Sequence, residues 1–167
     1  MADTLGPSRE TLTNQELQDL LWGGKEVPPS NFEEPIRFGH SLKDPVVLSD
    51  CGFLQGLSIQ GISEQRVHVA HDLKFDGSTF NGECHFEHLQ ITKLLSFLNV
   101  NGRDATFHFN GVSVSRADTA DLWLSFKNGN SIPHLVTDNL VIREMFRRLQ
   151  SDPTTFVSYN DVREEFK

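Results

Sequence analysis

The segment GSTFNGECHFEHLQI, residues 77–91, concentrates side chains that bind metals or transfer protons. It contains Cys84, His85 and His88 together with Glu83 and Glu87. Imidazole and carboxylate groups suit transition metals, and a thiol beside a histidine can act as a nucleophile. The segment is therefore either a chemical site or one strand of a repeated β structure whose polar residues face water.

The spacing of the histidines favours the strand. Two HxxH pairs occur, and this spacing puts two rings on one face of a helix but on opposite faces of a strand. Polar and apolar residues alternate through HFEHLQI, which is typical of a strand. We therefore expect neither a metal nor a cofactor. If a metal did bind, its candidate ligands would be His68, His71, His85, Glu87 and His88.

Metal-dependent chemistry remains an alternative, because Glu83, His85 and Glu87 share one side of such a strand and a neighbouring coil could add a ligand. The matching architecture would be a cupin-like β-barrel that holds its metal through inward His and Glu residues. The usual cupin motif begins with HxH, whereas this chain has HxxH. A metal-dependent cupin-like enzyme is thus the second interpretation.

Other catalytic signatures do not occur: the chain has no GxSxG elbow, Walker loop or HExxH motif. Alternation places Cys84 in the core rather than beside a base. Asp50, Asp76 and Asp104 could pair across coils as glycosidase carboxylates, but aspartate at such positions more often forms turns. A carbohydrate-active β-helix is therefore the third interpretation.

Composition narrows the class of protein. The net charge of −8 argues against a nucleic-acid partner, and dense acidic rows that would mimic DNA do not occur. No apolar run approaches 20 residues, and the first residues lack a signal-peptide core, so we expect no membrane association and a cytoplasmic location. Cys51 and Cys84 are then expected to be reduced thiols.

Internal repetition predicts the fold. Three segments superimpose, ending in Phe53, Phe80 and Phe107 at an equal spacing of 27, each with a small residue two positions earlier. Those small residues are Cys51, Ser78 and Ala105. Equivalent inward residues stack in a solenoid, because one coil cannot bury its apolar side alone. We therefore predict a mainly β protein, a right-handed β-helix-like solenoid with coils of about 27 residues, over residues 35–130.

The same alignment predicts further columns. Leu57 aligns with Cys84 and Ile59 with Phe86, and one inserted residue brings Val112 and Val114 into these columns. Val67, Leu94 and Leu122 form another column on the shifted register.

The small-x-Phe step, with Phe75 five residues before Phe80, resembles the pentapeptide-repeat proteins and right-handed β-helices over residues 45–115. Those families are largely non-enzymatic interaction modules, and the resemblance implies such a role here without specifying a partner.

The two ends of the chain are predicted to be helical. Thr13 and Glu16 match a capping box at the start of a short helix that Gly23-Gly24 ends, within an N-terminal segment of residues 1–34. Near the other end, Thr137 or Asp138 caps a second helix, and a third short helix is expected around YNDVREEF, with Val162 and Phe166 on one face.

The second helix has one apolar face, consisting of Ile142, Met145, Phe146 and Leu149. The segment of residues 131–167 is then either a cap on the solenoid or an interface, and these four residues are the candidate contacts with a partner.

The leading functional prediction is a non-enzymatic interaction or scaffold module that presents a solenoid face to a macromolecular partner, either another protein or a second copy of the chain.

Overall fold

The computed structural model describes residues 10–38, 44–62, 64–116 and 119–166, and it confirms a mainly β protein in which parallel coils stack into a solenoid of about five turns with three helices. The first residues, for which the sequence predicts no signal-peptide core, lie largely outside these ranges. The strands are β1 Glu10–Thr11, β2 Ser30–Phe32, β3 Ile36–Phe38, β4 Val46–Val47, β5 Gly52–Phe53, β6 Leu57–Gln60, β7 Val67–Val69, β8 Leu73–Lys74, β9 Thr79–Glu87, β10 Leu89–Ile91, β11 Leu94–Phe109, β12 Ser113–Val114, β13 Asp121–Phe126, β14 His134–Thr137 and β15 Val157–Ser158. The helices are α1 Asn14–Trp22, α2 Leu140–Ser151 and α3 Tyr159–Glu164.

Successive coils contribute strands to three parallel ladders. The first ladder joins β3, β6, the end of β9, the end of β11 and β14. The second joins β7, β10 and β12, and the third joins β4, β8, the start of β11 and β13. Strands β1, β2 and β5 continue the stack toward the N-terminus, so strands of the solenoid lie on both sides of residue 35.

The predicted register holds for one pair of coils. Phe53 pairs with Phe80, and Leu57 pairs with Cys84, both at the predicted spacing of 27. The next coil is shorter, so Phe107 pairs with Cys84 rather than with Phe80. Strand β11 also carries one extra residue between Asn101 and Asp104, which shifts the register again. The alignment of the third copy was therefore wrong.

Other predicted columns fail for the same reason. Phe107 and Phe109 occupy the columns assigned to Val112 and Val114, and Val114 instead pairs with Ile91 in the second ladder. The proposed column of Val67, Leu94 and Leu122 is wrong as well. Its members lie in two ladders, where the observed pairs are Val67 with Leu89 and Leu122 with Leu95.

Phenylalanine rings fill much of the interior. Phe32, Phe53 and Phe80 are fully buried and stack in a column with centroids 5.1 and 5.0 Å apart. Phe107 still meets Phe80, but edge-on at 5.2 Å. Phe75 is buried too, and its ring stacks on Phe97 in the next coil at 5.2 Å.

Both ends of the stack carry helices. The predicted capping box of α1 is present, since Thr13 accepts a hydrogen bond from the Glu16 amide while Glu16 accepts one from the Thr13 amide. Leu17 is buried beneath this helix, and Gly23 ends it. Helix α3 also forms as predicted, with Val162 buried, but Phe166 lies beyond its end and is 53% exposed.

Helix α2 covers the C-terminal end of the core. Its N-cap is Asn139, not the predicted Thr137 or Asp138, because Asn139 accepts hydrogen bonds from the Val141 and Ile142 amides. Asp138 instead accepts a bond from the amide of Gly111, in the preceding coil.

The four candidate partner contacts on α2 are buried within the chain itself, where the Phe146 ring packs against Phe109 and Phe126. They are Ile142, Met145, Phe146 and Leu149. This face is therefore occupied by the chain's own core, and its burial supports the cap rather than the interface.

The observed topology excludes the cupin-like barrel. Cupin barrels are built from antiparallel strands, whereas among the described residues only β13 and β15 form an antiparallel ladder. No helix in the described ranges is long and apolar enough to cross a membrane.

Candidate functional site

The first ladder turns one side of each strand outward and aligns the outward residues in rows. Its central row runs across five strands through Arg37, Ser58, His85, His108 and Val136. Shorter rows lie beside it, one with Glu83, Thr106 and His134 and one with Gln60 and Glu87. We call this surface the histidine face; its residues are Arg37, Ser58, Gln60, Glu83, His85, Glu87, Thr106, His108, His134 and Val136.

Two histidines and two glutamates interact at the middle of the histidine face. His85 Nδ1 lies 3.0 Å from Glu87 Oε1, and His108 Nε2 lies 2.7 Å from Glu83 Oε1. The two imidazole rings stack with centroids 4.3 Å apart and planes 15° apart. Neighbouring coils therefore join four side chains into one cluster.

Strand alternation explains why these side chains face outward. Their neighbours Cys84, Phe86, Phe107 and Phe109 are fully buried, so the residues between them must point to the opposite side of the strand. Burial of those apolar groups sets the register, because a slip of one residue would bring the charged groups into the core.

Glycine in the preceding coil allows the close approach of the strand that carries Glu83. Gly56 has φ +91°, and a Cβ atom there would lie 2.5 Å from the backbone oxygen of Glu83. No other residue type would fit at this position without displacing the backbone.

Hydrogen bonds stabilise the ionised form of both glutamates. The bond from His108 is the main cause that holds the pKa of Glu83 below its usual value. Burial of Glu87 opposes its ionisation, but hydrogen bonds from Asn110, Gln60 and His85 outweigh that effect and lower the pKa of Glu87. Both groups are therefore carboxylates at neutral pH, each facing an imidazole.

The cluster offers ligand atoms of the types that bind transition metals. One atom each from Glu83, His85 and His108 lies within 4.8 Å of the other two. Two imidazoles and one carboxylate form a ligand set found in zinc sites that keep one coordination position open.

The predicted ligands do not come together as a group. His85 and Glu87 lie on the histidine face, but His68 pairs with Gln90 in the second ladder. His71 lies in the turn between β7 and β8.

His88 occupies the corner between β9 and β10 with φ +55°, and its Nδ1 is buried without a hydrogen-bond partner among the described residues. Its ring lies against the backbone of Gly111, because a Cβ atom at that glycine would be 2.6 Å from His88 Nδ1. His88 is thus turned away from the cluster.

His108 is the member that sequence reasoning missed. The signal was the match of Phe107-His108-Phe109 to Cys84-His85-Phe86 at a spacing of 23, which the assumed spacing of 27 concealed.

The other predicted candidates have structural roles. Burial raises the pKa of the Cys84 thiol to about 12, so this cysteine is a core residue as predicted. Asp50 forms a turn with φ +56°, and Asp76 accepts hydrogen bonds from Ser96 and Leu98. Asp104 differs from the prediction, since it lies within β11 rather than in a turn.

A cavity of about 300 Å³ lies between α2 and the β15–α3 segment. Its cation, Arg148, already forms ion pairs with Glu144 and Glu165. Because this cation is already paired, the cavity is a weaker candidate for a ligand site than the histidine face.

Comparisons with protein-family models, with curated proteins and with solved structures found no significant match. The resemblance to pentapeptide-repeat proteins and the cytoplasmic location remain predictions from the sequence.

Proposed function

We propose that this chain is a non-enzymatic interaction module that presents the histidine face to another protein. The observation that supports this role is the central row of five outward residues on in-register parallel strands. Such a surface is rigid, because each strand is held by its neighbours on both sides except at the two edges. Binding to a rigid surface costs less conformational entropy than binding to mobile loops.

The polar groups of this face are already oriented by each other. His85 and Glu87 are hydrogen-bonded side chains with exposed fractions of 31% and 20%, so each keeps a fixed orientation while part of it reaches solvent. Val136, at the far end of the central row, is 44% exposed and adds an apolar contact. Interfaces between proteins combine apolar and polar contacts, typically with the apolar groups at the centre and the polar groups at the rim.

The charge of the face indicates the chemistry of its partner. Glu83 and Glu87 lie in the middle of the face, and Arg37 contributes the cation at one end. A chain with a net charge of −8 would repel nucleic acid, so we expect a protein partner that offers basic or hydrogen-bond donor groups.

The test compares two half-buried serines on different ladders. Ser58→Arg places a long cation in the central row of the histidine face, whereas Ser113→Arg places the same group on the second ladder. We expect capture experiments from cell extract to recover a partner with the wild type and with Ser113→Arg, but not with Ser58→Arg. Solution mass would identify a second copy as the partner if Ser58→Arg alone converted an oligomer to a monomer.

Equal recovery of the same proteins by all three chains would contradict the proposal. Thermal unfolding of both variants serves as the control for folding, since each serine is only half-buried at the surface.

A further inference from the structure

The histidine cluster has a second property that protein binding does not require. Three of its members, Glu83, His85 and His108, bring one potential ligand atom each to within 4.8 Å of the others. Two of these residues are imidazoles from adjacent strands, paired directly in the parallel ladder. The cluster is thus a product of the fold rather than of local sequence.

The ligand types select the class of metal. Two imidazole nitrogens and one carboxylate oxygen suit zinc and its neighbours, whereas calcium and magnesium prefer sets made of oxygen alone. Glu83 is an exposed glutamate, and exposed glutamates are ionised at neutral pH. A dication at this position would therefore meet a carboxylate that is already ionised.

The hydrogen bonds of His85 prepare it as a ligand. A carboxylate can only accept a hydrogen bond, so the 3.0 Å contact with Glu87 assigns the proton of His85 to Nδ1. The lone pair is then on Nε2, which is free to bind a metal. Histidine ligands in metalloproteins typically donate their second N–H to a carboxylate in this way. Glu87 is itself held by Asn110 at 3.1 Å and by Gln60 at 2.5 Å.

Modest side-chain movement would complete the coordination. Ligands of a tetrahedral zinc ion at about 2.0–2.1 Å are about 3.3 Å from each other. His85 and His108 now stack with their rings 4.3 Å apart, so His108 must turn about its side-chain bonds to reach an ion bound by His85. Both side chains reach the surface, with exposed fractions of 31% and 18%. His108 donates its Nε2 proton to Glu83, so this proton would first have to move to Nδ1 by tautomerisation; Nε2 could then bind the metal in place of that hydrogen bond.

We infer that the histidine face binds one zinc ion through Glu83, His85 and His108, with Glu87 as a positioning residue that orients His85. Three protein ligands leave the fourth position of a tetrahedral ion to water. The inference does not rest on the proposed function, because the isolated chain carries all three ligands. The ion would lie on the outer surface, at the centre of the five-strand row.

The experiment is calorimetric titration of metal-free, tag-free protein with zinc chloride. We expect one ion per chain in the wild type, and a loss of affinity of more than about 100-fold in His85→Gln and in His108→Gln, because each removes a direct ligand whereas Glu87 only orients one. Glu87→Gln should weaken binding by about 10- to 100-fold without changing the stoichiometry. His68→Gln is the matched control, because it removes an exposed strand histidine from a different ladder.

Cobalt provides a second readout that is independent of heat. The visible bands of bound Co²⁺ should be those of a tetrahedral ion in the wild type and in His68→Gln, and they should disappear in His108→Gln. The absence of stoichiometric zinc binding in the folded wild type would overturn the inference. The inference would also be overturned if His68→Gln abolished zinc binding while His85→Gln and His108→Gln left it unchanged.

Discussion

The two sides of strands β9 and β11 carry different kinds of side chain. On the inner side, Phe86, Phe107 and Phe109 are fully buried, and their rings pack with centroids 5.0 to 5.9 Å apart. On the outer side, His85 and His108 stack at a shorter 4.3 Å but remain partly exposed to water. Apolar burial contributes to stability in proportion to area, whereas exposed polar pairs compete with water. The inner side should therefore carry the stability of the fold, which leaves the outer side free to bind.

The largest expected difference in stability is between substitutions of two adjacent residues of β9, Phe86 on the inner side and His85 on the outer side. Phe86→Ala removes a ring that contacts four others and should lower the free energy of unfolding by about 3–5 kcal/mol. His85→Ala removes one stacking contact and one hydrogen bond at the surface, and it should cost about 1 kcal/mol or less. Urea unfolding of both variants measures the two values. Similar losses would mean that the outer cluster is a structural element instead of a binding surface.

The same difference explains which parts of the fold could be predicted. The stacked phenylalanines were recognisable because burial imposes a repeated residue type, as Phe53 and Phe80 illustrate. Ser30-Asn31-Phe32 has the same small-x-Phe pattern and joins that column, but its spacing of 21 from Phe53 lay outside the assumed repeat. A solenoid can keep its inner columns while its turns vary in length, so a fixed period misses whole coils.

The site was harder to predict than the fold because it depends on register between coils. Burial does not restrict the types of the polar outward residues, so the sequence does not show which of them align between coils. The match of His108 to His85 at a spacing of 23 was concealed by the assumed spacing of 27, because this coil is shorter than the one before it.

Helix α2 is another element whose environment the sequence alone did not determine. Its apolar face was evident from Ile142 and Met145, but the sequence did not distinguish burial against the solenoid from burial against a partner.

Two glycines test whether the outer site depends on backbone packing. Gly56 and Gly82 both have positive φ, at +91° and +78°, so alanine at either position is disfavoured by about 1–3 kcal/mol. A Cβ at Gly56 would also lie 2.5 Å from the Glu83 backbone oxygen, whereas at Gly82 the nearest atom is 3.7 Å away. We expect Gly56→Ala to be the more destabilising by about 1–3 kcal/mol, the range for overpacking. Chemical denaturation of the pair provides the measurement, and equal losses would show that the two coils can separate at no cost.

The smallest effect concerns an ion-pair cluster on α2, in which Glu144 is 19% exposed and pairs with Arg147 and Arg148. Hydrogen bonds from Arg147 and Arg148 lower the pKa of Glu144 from an ordinary value of 4.5 to about 2. Because the folded state holds this carboxylate in its charged form, the contribution of Glu144 to stability is complete above about pH 4.5 and disappears as the pH falls toward 2.

We therefore expect Glu144→Gln to reduce stability slightly at pH 7 and to match the wild type near pH 2, in urea unfolding measured across this range. Glu64→Gln, in the turn between β6 and β7, is the control for loss of one negative charge. A deficit of Glu144→Gln that persisted unchanged at pH 2 would show that the Glu144 side chain acts through packing rather than through its charge.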